Sequence, residues 1–247
     1  MINEALAAPP ALLTGDWALF LDIDGTLLEH ADHPDAVSVS AELRSLLQDL
    51  ERKLDGALAV VTGRSVAAVD HLFRPLKLRA AGLYGLEHRL TPDDAVEAAG
   101  EPADIAALAD EIEAELGHGQ AHIERKGRVL AIHTRAAPHL LPRATELVER
   151  ALATLPKGYR VVPGNAGVEL LPLEAAKGAA IRRFMSIAPF AGRRPVFLGD
   201  DTPDENGFEA VNDAGGISIR IRPMAKTAAQ YGLVGVGETL EWLRSQL

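Results

Sequence analysis

Two aspartates separated by one residue end a short apolar run near the start of the chain, and their types and spacing suit them to chemistry. The run Ala-Leu-Phe-Leu at 18–21 leads into Asp22-Ile-Asp24-Gly-Thr. An apolar run that stops at a turn signal predicts a buried strand. In an extended chain, residues two apart point the same way, about 6–7 Å from each other along the backbone. Two carboxylates placed in this way are unfavourable unless a cation or a proton lies between them, so the stretch predicts a metal site or a pair of carboxyl groups that share a proton.

Three further fragments fall at predicted strand ends, or at a helix start beside them. A lone lysine at a helix start is usually a solvated charge, and Gly-Asp-Asp after a strand is often a turn capped by its own carboxylates. A parallel sheet, however, gathers the carboxyl ends of its strands at one edge, where open α/β sheets bind ligands. We therefore expect one site that combines Asp22-Ile-Asp24 with Thr62-Gly63-Arg64, Lys177-Gly178 and Gly199-Asp200-Asp201.

The predicted site is rich in oxygen and has no sulfur, which suits Mg²⁺. With a metal in place, one carboxylate can attack phosphorus, as in aspartyl-phosphate enzymes. The second carboxylate can protonate the leaving alcohol and then activate water. Lys177 would offset charge on the transferring phosphoryl group, and Thr62 could donate a hydrogen bond to a phosphate oxygen.

Apolar runs and helical periodicity predict how the chain positions these residues. Residues 1–16 are predicted as a loose leader, with Pro9-Pro10 blocking regular structure, and 29–37 and 92–104 as polar loops. The β-α-β order implies a parallel sheet with right-handed crossovers. We predict strands at 18–22, 58–62, 79–83, 195–199 and 216–221, and helices at 40–53, 66–73, 176–187, 203–212 and 237–246.

The pattern changes in the middle of the chain. Two alternating hairpins, 121–134 and 159–171, follow predicted helices at 102–116 and 138–154. This α-β-β-α-β-β series predicts a small α+β domain with an antiparallel sheet. We therefore predict an α/β protein with a Rossmann-like parallel-sheet core, residues 1–91 and 169–247, and an inserted α+β domain, residues 92–168.

The composition of the chain argues against several kinds of binding partner and cellular location. The formal charge of −10 argues against nucleic acid and against an anionic membrane surface. The chain has no cysteine, so it has no disulfide, zinc-thiolate site or thiol nucleophile. Its start does not resemble a signal peptide, and it has no run of 18 apolar residues. We expect a cytoplasmic monomer that binds a small molecule.

The order Asp-x-Asp-Gly-Thr, Thr-Gly-Arg, Lys, Gly-Asp-Asp resembles the haloacid-dehalogenase superfamily of phosphatases. The resemblance implies that Asp22 is the nucleophile and Asp24 the general acid and base, with Thr62 and Lys177 beside the phosphoryl group. It implies that Mg²⁺ is held by Asp22, Asp200 and the backbone carbonyl of Asp24. The inserted domain would be a cap of that superfamily's second type (C2). Supporting positions implied by the resemblance are Gly63, Asp201 and Asp204.

Within that superfamily, residues 18–247 resemble trehalose-6-phosphate phosphatases. The likeness lies in Glu124-x-Lys126 followed by His133-x-Arg135, and in Tyr84-Gly-Leu-Glu87, Glu169-Leu-Leu-Pro172 and Gly199-Asp-Asp-Thr-Pro-Asp-Glu205. It implies Mg²⁺-dependent hydrolysis of trehalose 6-phosphate to trehalose and phosphate, in trehalose biosynthesis. It also implies that the sugar is bound by Arg64, Glu124, Lys126, His133, Arg135 and Glu169.

Two positions depart from that family's pattern. Asn165 stands where the family usually has lysine, and Leu171 where it often has arginine or lysine. A phosphatase of the same superfamily acting on another sugar phosphate is therefore an alternative. A second alternative is a non-catalytic phospho-acceptor signalling module, whose acceptor aspartate also ends a strand near acids and a lysine. Asp24 and the inserted domain argue against that module, because it needs neither a general acid nor a lid.

Overall fold

The computed structural model describes residues 6–11, 16–30, 37–98, 105–155, 158–164, 166–224 and 226–247. The chain divides into two compact units, a core unit of Met1–Ala98 with Ala176–Leu247 and an inserted unit of Ala99–Ala175. The predicted insertion, 92–168, differs from this division at both ends. Residues 97–98 pair with the sheet of the core unit, whereas 167–172 pair within the inserted unit.

The described residues form helices and strands with the following bounds. The helices are α1 (Ala41–Lys53), α2 (Val66–Phe73), α3 (Ile105–Leu116), α4 (Leu141–Leu152), α5 (Lys177–Met185), α6 (Glu205–Asp213) and α7 (Val236–Arg244). The strands are β1 (Trp17–Leu21), β2 (Leu58–Val61), β3 (Arg79–Gly82), β4 (Glu87–Arg89), β5 (Glu97–Ala98), β6 (His122–Lys126), β7 (Val129–His133), β8 (Tyr159–Gly164), β9 (Gly167–Pro172), β10 (Arg194–Gly199), β11 (Ile217–Ile221) and β12 (Tyr231–Leu233). Among these, no helix has both the length and the apolar character that a bilayer crossing requires.

The sheet of the core unit has the strand order β12-β11-β10-β1-β2-β3-β4-β5. Its pairs are parallel from β12 to β3 and antiparallel at β3–β4 and β4–β5. The chain runs outward from β1 through β2 on one side and returns through β10 on the other, so β1 lies at a topological switch point. Loops that follow neighbouring strands there are the usual ligand site of an open α/β sheet.

Apolar periodicity explains the layers around this sheet. Every residue of β1, β2 and β11 is buried, as expected of central strands covered on both faces. Helix α1 begins at a Ser40 cap whose Oγ accepts from the backbone N–H of Leu43 at 3.2 Å. Its buried residues are Leu43, Leu46, Leu47 and Leu50, the stripe that a 3.6-residue repeat turns toward one face.

Three short strands lie outside the sequence prediction. Strands β4 and β5 extend the sheet antiparallel to β3, and β12 adds its other edge. Elements of two or three residues have too few positions to show a period of two, so pattern alone does not reveal them. The predicted loose leader is also partly wrong, because Ala7 bridges to Tyr231 and the backbone oxygen of Pro10 accepts from Trp242 Nε1 at 3.2 Å.

The inserted unit is an antiparallel sheet packed on two helices. Its strand order is β6-β7-β9-β8. One face of this sheet, which includes Leu130, Ile132, Val168 and Leu170, packs in one hydrophobic core with apolar residues of α3 and α4. Because side chains alternate across a strand, the residues between these positions point to the opposite face.

A buried histidine joins the antiparallel edge of the core sheet to α5. Nδ1 of His88, on β4, lies 3.3 Å from Nη1 of Arg183 on α5. A guanidinium only donates, so Nδ1 accepts and the ring proton is on Nε2, which has no hydrogen-bond partner among the described residues. Burial first, and then the charge of Arg183, lower the pKa of His88 to about 4.

We predict that this histidine makes the fold less stable in mild acid. Its pKa is lower in the folded chain than in the unfolded chain, so the unfolded chain takes up the proton first. The free energy of unfolding therefore falls as the pH drops from about 6.5 toward 4, by about 2 kcal/mol at pH 5.

Urea unfolding of the wild type and of His88→Gln at pH 7.5 and pH 5 measures this effect. The glutamine variant controls for carboxylates that titrate in the same range. An equal loss of stability in both proteins would show that His88 is not the cause.

Candidate active site

A buried lysine lies between two buried aspartates at the carboxyl edge of the parallel sheet. Lys177 Nζ donates to Oδ1 of Asp22 at 2.7 Å and to Oδ1 of Asp204 at 2.6 Å. The three residues are 3%, 4% and 0% exposed in the order Lys177, Asp22, Asp204. Such charge-assisted hydrogen bonds, out of contact with water, hold the three side chains in one arrangement.

Three elements deliver these side chains to one place. Asp22 directly follows β1, and its backbone N–H donates to the carbonyl of Leu198 on β10 at 2.9 Å. Lys177 is the first residue of α5, which is tied to α6 because Gly178 N donates to Asn206 Oδ1 at 2.7 Å. Asp204 immediately precedes α6.

Asp200 completes an acidic cluster. One carboxylate oxygen from each of Asp22, Asp200 and Asp204 can be chosen so that all three lie within 4.8 Å of one another. Oδ2 of Asp200 is 2.9 Å from His30 Nε2 and 3.6 Å from Arg222 Nη1. It rests against Gly25, whose φ is +80° and where a Cβ would come within 2.0 Å of that oxygen. The turn after Asp24 therefore needs glycine for both its backbone conformation and its contact with Asp200.

The charges of the cluster shift one another's titration. Burial raises the pKa of the Asp22 carboxyl well above its usual range, and the nearby Lys177 only partly opposes this. Burial also raises the pKa of Asp200, against the hydrogen bond from His30. For Lys177, burial would lower the pKa, but Asp204 and Asp22 outweigh it and raise the pKa. The ammonium of Lys177 thus stabilises Asp22 and Asp204, and for Asp22 it does not fully offset the cost of burial.

The donor set of this cluster fits a hard divalent cation. Asp22, Asp200 and Asp204 offer only oxygen, and they are buried together. Both oxygens of Asp204 are engaged, since Oδ2 accepts from the backbone N–H of Asp200 at 2.9 Å and of Asp201 at 3.0 Å. Asp204 therefore orients its neighbours, and Asp22 and Asp200 are the better candidates for ligands. Mg²⁺ prefers such carboxylate ligands together with water and phosphate.

The second aspartate of the first motif is held by an arginine. Arg64 donates from Nε and Nη2 to the two carboxylate oxygens of Asp24, each at 2.7 Å. Thr62 is buried after β2 and accepts from the backbone N–H of Arg64 at 3.2 Å, which leaves its hydroxyl hydrogen for another acceptor. Gly63 lies against Tyr84, where a Cβ would come within 2.4 Å of the tyrosine hydroxyl.

Asp201 has a local structural role. Its side chain accepts from the backbone N–H of Thr202 at 2.7 Å and caps the short 3₁₀ turn Thr202–Asp204. This turn ends at Asp204 and so places its carboxylate in the acidic cluster.

A second group of predicted residues meets on the inserted sheet. Glu124 Oε2 lies 2.8 Å from Lys126 Nζ and 3.0 Å from His133 Nε2. The register pairs Glu124 with Ala131 and Ala131 with Glu169, so the two glutamates share a row on the face opposite the helices. Burial of Glu124 would raise its pKa, but the hydrogen bonds from His133 and Lys126 lower the pKa to about 2. Glu124 is therefore ionised at neutral pH, and its carboxylate oxygens accept hydrogen bonds.

Three other positions named in the sequence analysis do not belong to that row of residues, or lie outside the residues that the structure describes. Arg135 follows β7 in a turn, and Leu171 is buried on β9 opposite Arg160 of β8. Asn165 lies outside the described residues.

The sequence prediction misses several residues around Asp200. His30, Arg220 and Arg222 lie in other elements of the chain and belong to none of the motifs quoted above, whereas Glu205 ends the Gly199–Glu205 motif but was given no role there. Arg222 has a positive φ of +53°, a conformation that costs an ordinary residue free energy and is found near functional sites. The alternation of arginine and isoleucine in 220–222 was the available signal, because it places two arginines at the end of a buried strand.

The trehalose-phosphatase family model matches residues 20–234 of this chain. The chain is 42% identical over 233 residues to a probable trehalose-phosphate phosphatase of Sinorhizobium fredii, covering 94% of this chain and 88% of that protein. It is 37% identical over 250 residues to the trehalose-6-phosphate phosphatase of Escherichia coli, covering 98% and 90%.

A solved structure supports the fold. The C-terminal domain of trehalose-6-phosphate phosphatase from Candida albicans superposes with a TM-score of 0.79 at 20% identity, covering 92% of this chain and 91% of that one. The predicted α/β fold class is confirmed. With the family model matched over most of its length and two relatives above one-third identity, this chain belongs to the trehalose-phosphatase family.

Proposed function

We propose that this protein hydrolyses trehalose 6-phosphate to trehalose and phosphate through a phosphorylated Asp22. The buried contact of Asp22 with Lys177, beside Asp200 and Asp204, is the observation that carries the proposal. A carboxylate held beside an ammonium at a switch point of the sheet is suited to attack an anionic phosphoryl group. The choice of trehalose 6-phosphate as the substrate rests on the family to which the chain belongs.

The chain's own side chains account for both chemical steps. An oxygen of Asp22 forms a bond to phosphorus while the bond between phosphorus and the sugar oxygen breaks, and Asp24 gives that oxygen its proton. Asp24 then takes a proton from water, whose oxygen attacks phosphorus and releases phosphate and the Asp22 carboxylate. Arg64 orients Asp24 for the transfers and contacts the substrate. Thr62 donates to a phosphate oxygen, and Lys177 offsets phosphoryl charge.

Asp22, Asp200 and the backbone carbonyl of Asp24 are the groups that would hold Mg²⁺. When bound, the ion supplies positive charge that offsets the carboxylates and the transferring phosphoryl group. The crowding of the carboxylates supports this assignment, because one oxygen from each of Asp22, Asp200 and Asp204 lies within 4.8 Å of the others and a cation would offset their charge. Asp201 and Asp204 support the ligands through the turn that they stabilise.

The inserted unit recognises the sugar. Glu124 uses Oε2 for Lys126 and His133, so Oε1 can accept from a sugar hydroxyl while Lys126 donates to another. Glu169 adds a second acceptor in the same row, and Arg135 adds a donor. Sugars carry many hydroxyl groups, and hydrogen bonds from these hydroxyls to charged acceptors and donors are stronger than those to neutral groups.

A panel of sugar phosphates, each with and without Mg²⁺, tests the proposed function. We expect phosphate release to be fastest from trehalose 6-phosphate, to fall to background in EDTA, and to return when Mg²⁺ is restored. Faster release from another sugar phosphate would identify a different substrate. Undiminished release in EDTA would remove the metal from the proposal.

Replacing the nucleophile should abolish turnover. Asp22→Asn keeps the size of the side chain, but an amide is a poor nucleophile, so we expect kcat to fall at least about a thousandfold. Asp213→Asn, an exposed aspartate at the end of α6, is the matched control and should keep wild-type activity. Comparable phosphate release from Asp22→Asn and the wild type would refute the assignment.

Removing the cap lysine should affect recognition more than chemistry. We expect Lys126→Ala to raise KM for trehalose 6-phosphate about 10- to 100-fold and to leave KM for a small aryl phosphate nearly unchanged. Arg125→Ala is the control, because Arg125 is on the same strand, points to the other face and pairs with Asp110 and Glu113. Equal losses on both substrates would count against a role in sugar binding.

A further inference from the structure

A fully buried arginine holds the backbone of Asp200. Arg220 is 1% exposed and lies on β11, in register with Gly199 of β10. Its Nη2 donates to the carbonyl oxygen of Asp200 at 2.8 Å and contacts Met224 Sδ at 3.0 Å. Its Nη1 forms an ion pair with Oε1 of Glu205, the first residue of α6.

The glutamate in this pair is itself held in place. Glu205 Oε2 accepts from the backbone N–H of Ala228 at 2.7 Å and from Thr227 Oγ1 at 3.2 Å. The pair thus joins the start of α6, the end of β11 and the loop before β12. Because Glu205 Oε2 is held by Ala228 and Thr227, Glu205 keeps the guanidinium of Arg220 in one position.

Stability alone does not account for this arrangement. The guanidinium of Arg220 is buried while the Glu205 side chain keeps partial contact with water, and taking such a charge out of water costs free energy that an ion pair often fails to recover. Arg220 Nε is also buried and has no hydrogen-bond partner among the described residues, which adds to that cost. Replacing such a pair by apolar side chains of similar volume is often neutral or stabilising, so the contacts that Arg220 makes are a better guide to its role than stability.

That role concerns the two peptide groups that flank Asp200. The backbone N–H of Asp200 donates to Asp204 Oδ2 at 2.9 Å, and its carbonyl accepts from Arg220. With both peptide groups held, the direction of the Cα–Cβ bond is set. His30 contacts Oδ2 at 2.9 Å and thereby restrains the rotation of the carboxylate group.

We propose that Arg220, oriented by Glu205, is a positioning residue that aims the Asp200 carboxylate and thereby sets the affinity of the acidic cluster for Mg²⁺. The inference rests on the proposed function, since it takes Asp200 as a metal ligand. Outer-shell partners of metal ligands typically change metal affinity 10- to 100-fold when they are removed.

The chain provides a matched control for burial. Arg89 on β4 is 2% exposed, pairs with Asp70 at 2.6 Å, and donates to the carbonyl of Leu78 at 2.7 Å and 3.0 Å. It has the same kind of contacts as Arg220, but β2 and β3 separate its strand from β1. Arg89→Met should therefore cost stability without reaching the acidic cluster.

Calorimetric titration with Mg²⁺ compares the wild type, Arg220→Met, Arg220→Lys and Arg89→Met, at a temperature where circular dichroism shows each to be folded. We expect Arg220→Met to weaken the Kd for Mg²⁺ at least about tenfold. Arg220→Lys, which keeps one donor for the Asp200 carbonyl, should recover part of the loss. Arg89→Met should bind as the wild type does. If Arg220→Met does not fold, the comparison of Arg220→Lys with Arg89→Met decides.

Each outcome has a separate meaning. Wild-type affinity in both Arg220 variants, or an equal loss in Arg89→Met, would overturn the positioning role and leave the proposed function standing. A wild type that binds no Mg²⁺ would instead overturn the metal assignment itself, and the role of Arg220 with it.

Discussion

The buried ammonium of Lys177 is the interaction on which the rest of the active site depends. Without it, Asp22 and Asp204 would be buried carboxylates with no positive charge in hydrogen-bond contact, and such groups either take up a proton or destabilise the fold. With it, Asp22 stays beside a cation at the edge of the sheet. Burial nevertheless raises the pKa of Asp22 and of Asp200, so the cluster remains short of positive charge. That shortage is what suits the cluster to a divalent cation.

The strand order of the core unit is the physical reason that these charges meet. Strand β1 pairs in parallel with β10 on one side and β2 on the other, so the residues that follow each strand emerge together. Helices α5 and α6 are tied by the contact between Gly178 and Asn206, which places the start of α5 beside the start of α6. Lys177 and Asp204 are therefore neighbours because two helix starts are neighbours.

Asp200 shows how much support one proposed ligand receives. Its N–H, carbonyl and Oδ2 each have a partner, and the partners come from the turn before α6, from β11 and from the segment after the first motif. Preorganisation of this kind stores free energy in the fold and spares the site from reorganising when it binds a ligand. The positive φ of Arg222 is further strain in the same place.

The inserted unit organises its polar residues by a different rule. Its sheet packs one face on α3 and α4, and strand alternation leaves Glu124, Lys126 and Glu169 on the other. Periodicity of two is a local property, so this selection of residues could be read from the sequence. The hydrogen bonds that hold Glu124 ionised depend on cross-strand register, which brings His133 within 3.0 Å.

The sequence by itself determined the α/β class, the principal helices and strands, and the residue types of the acidic cluster, because apolar periodicity and motif order are local signals. Asp22, Lys177 and Asp200 could be grouped from the sequence since strand ends of a parallel sheet share one edge. Only the tertiary structure decided that Arg64 holds Asp24, that His30 and Arg222 face Asp200, and that Arg220 is buried beneath it. These contacts join residues up to 170 positions apart, as His30 and Asp200 are. No local pattern carries such pairings, because they arise from packing and from the need of buried charges for partners.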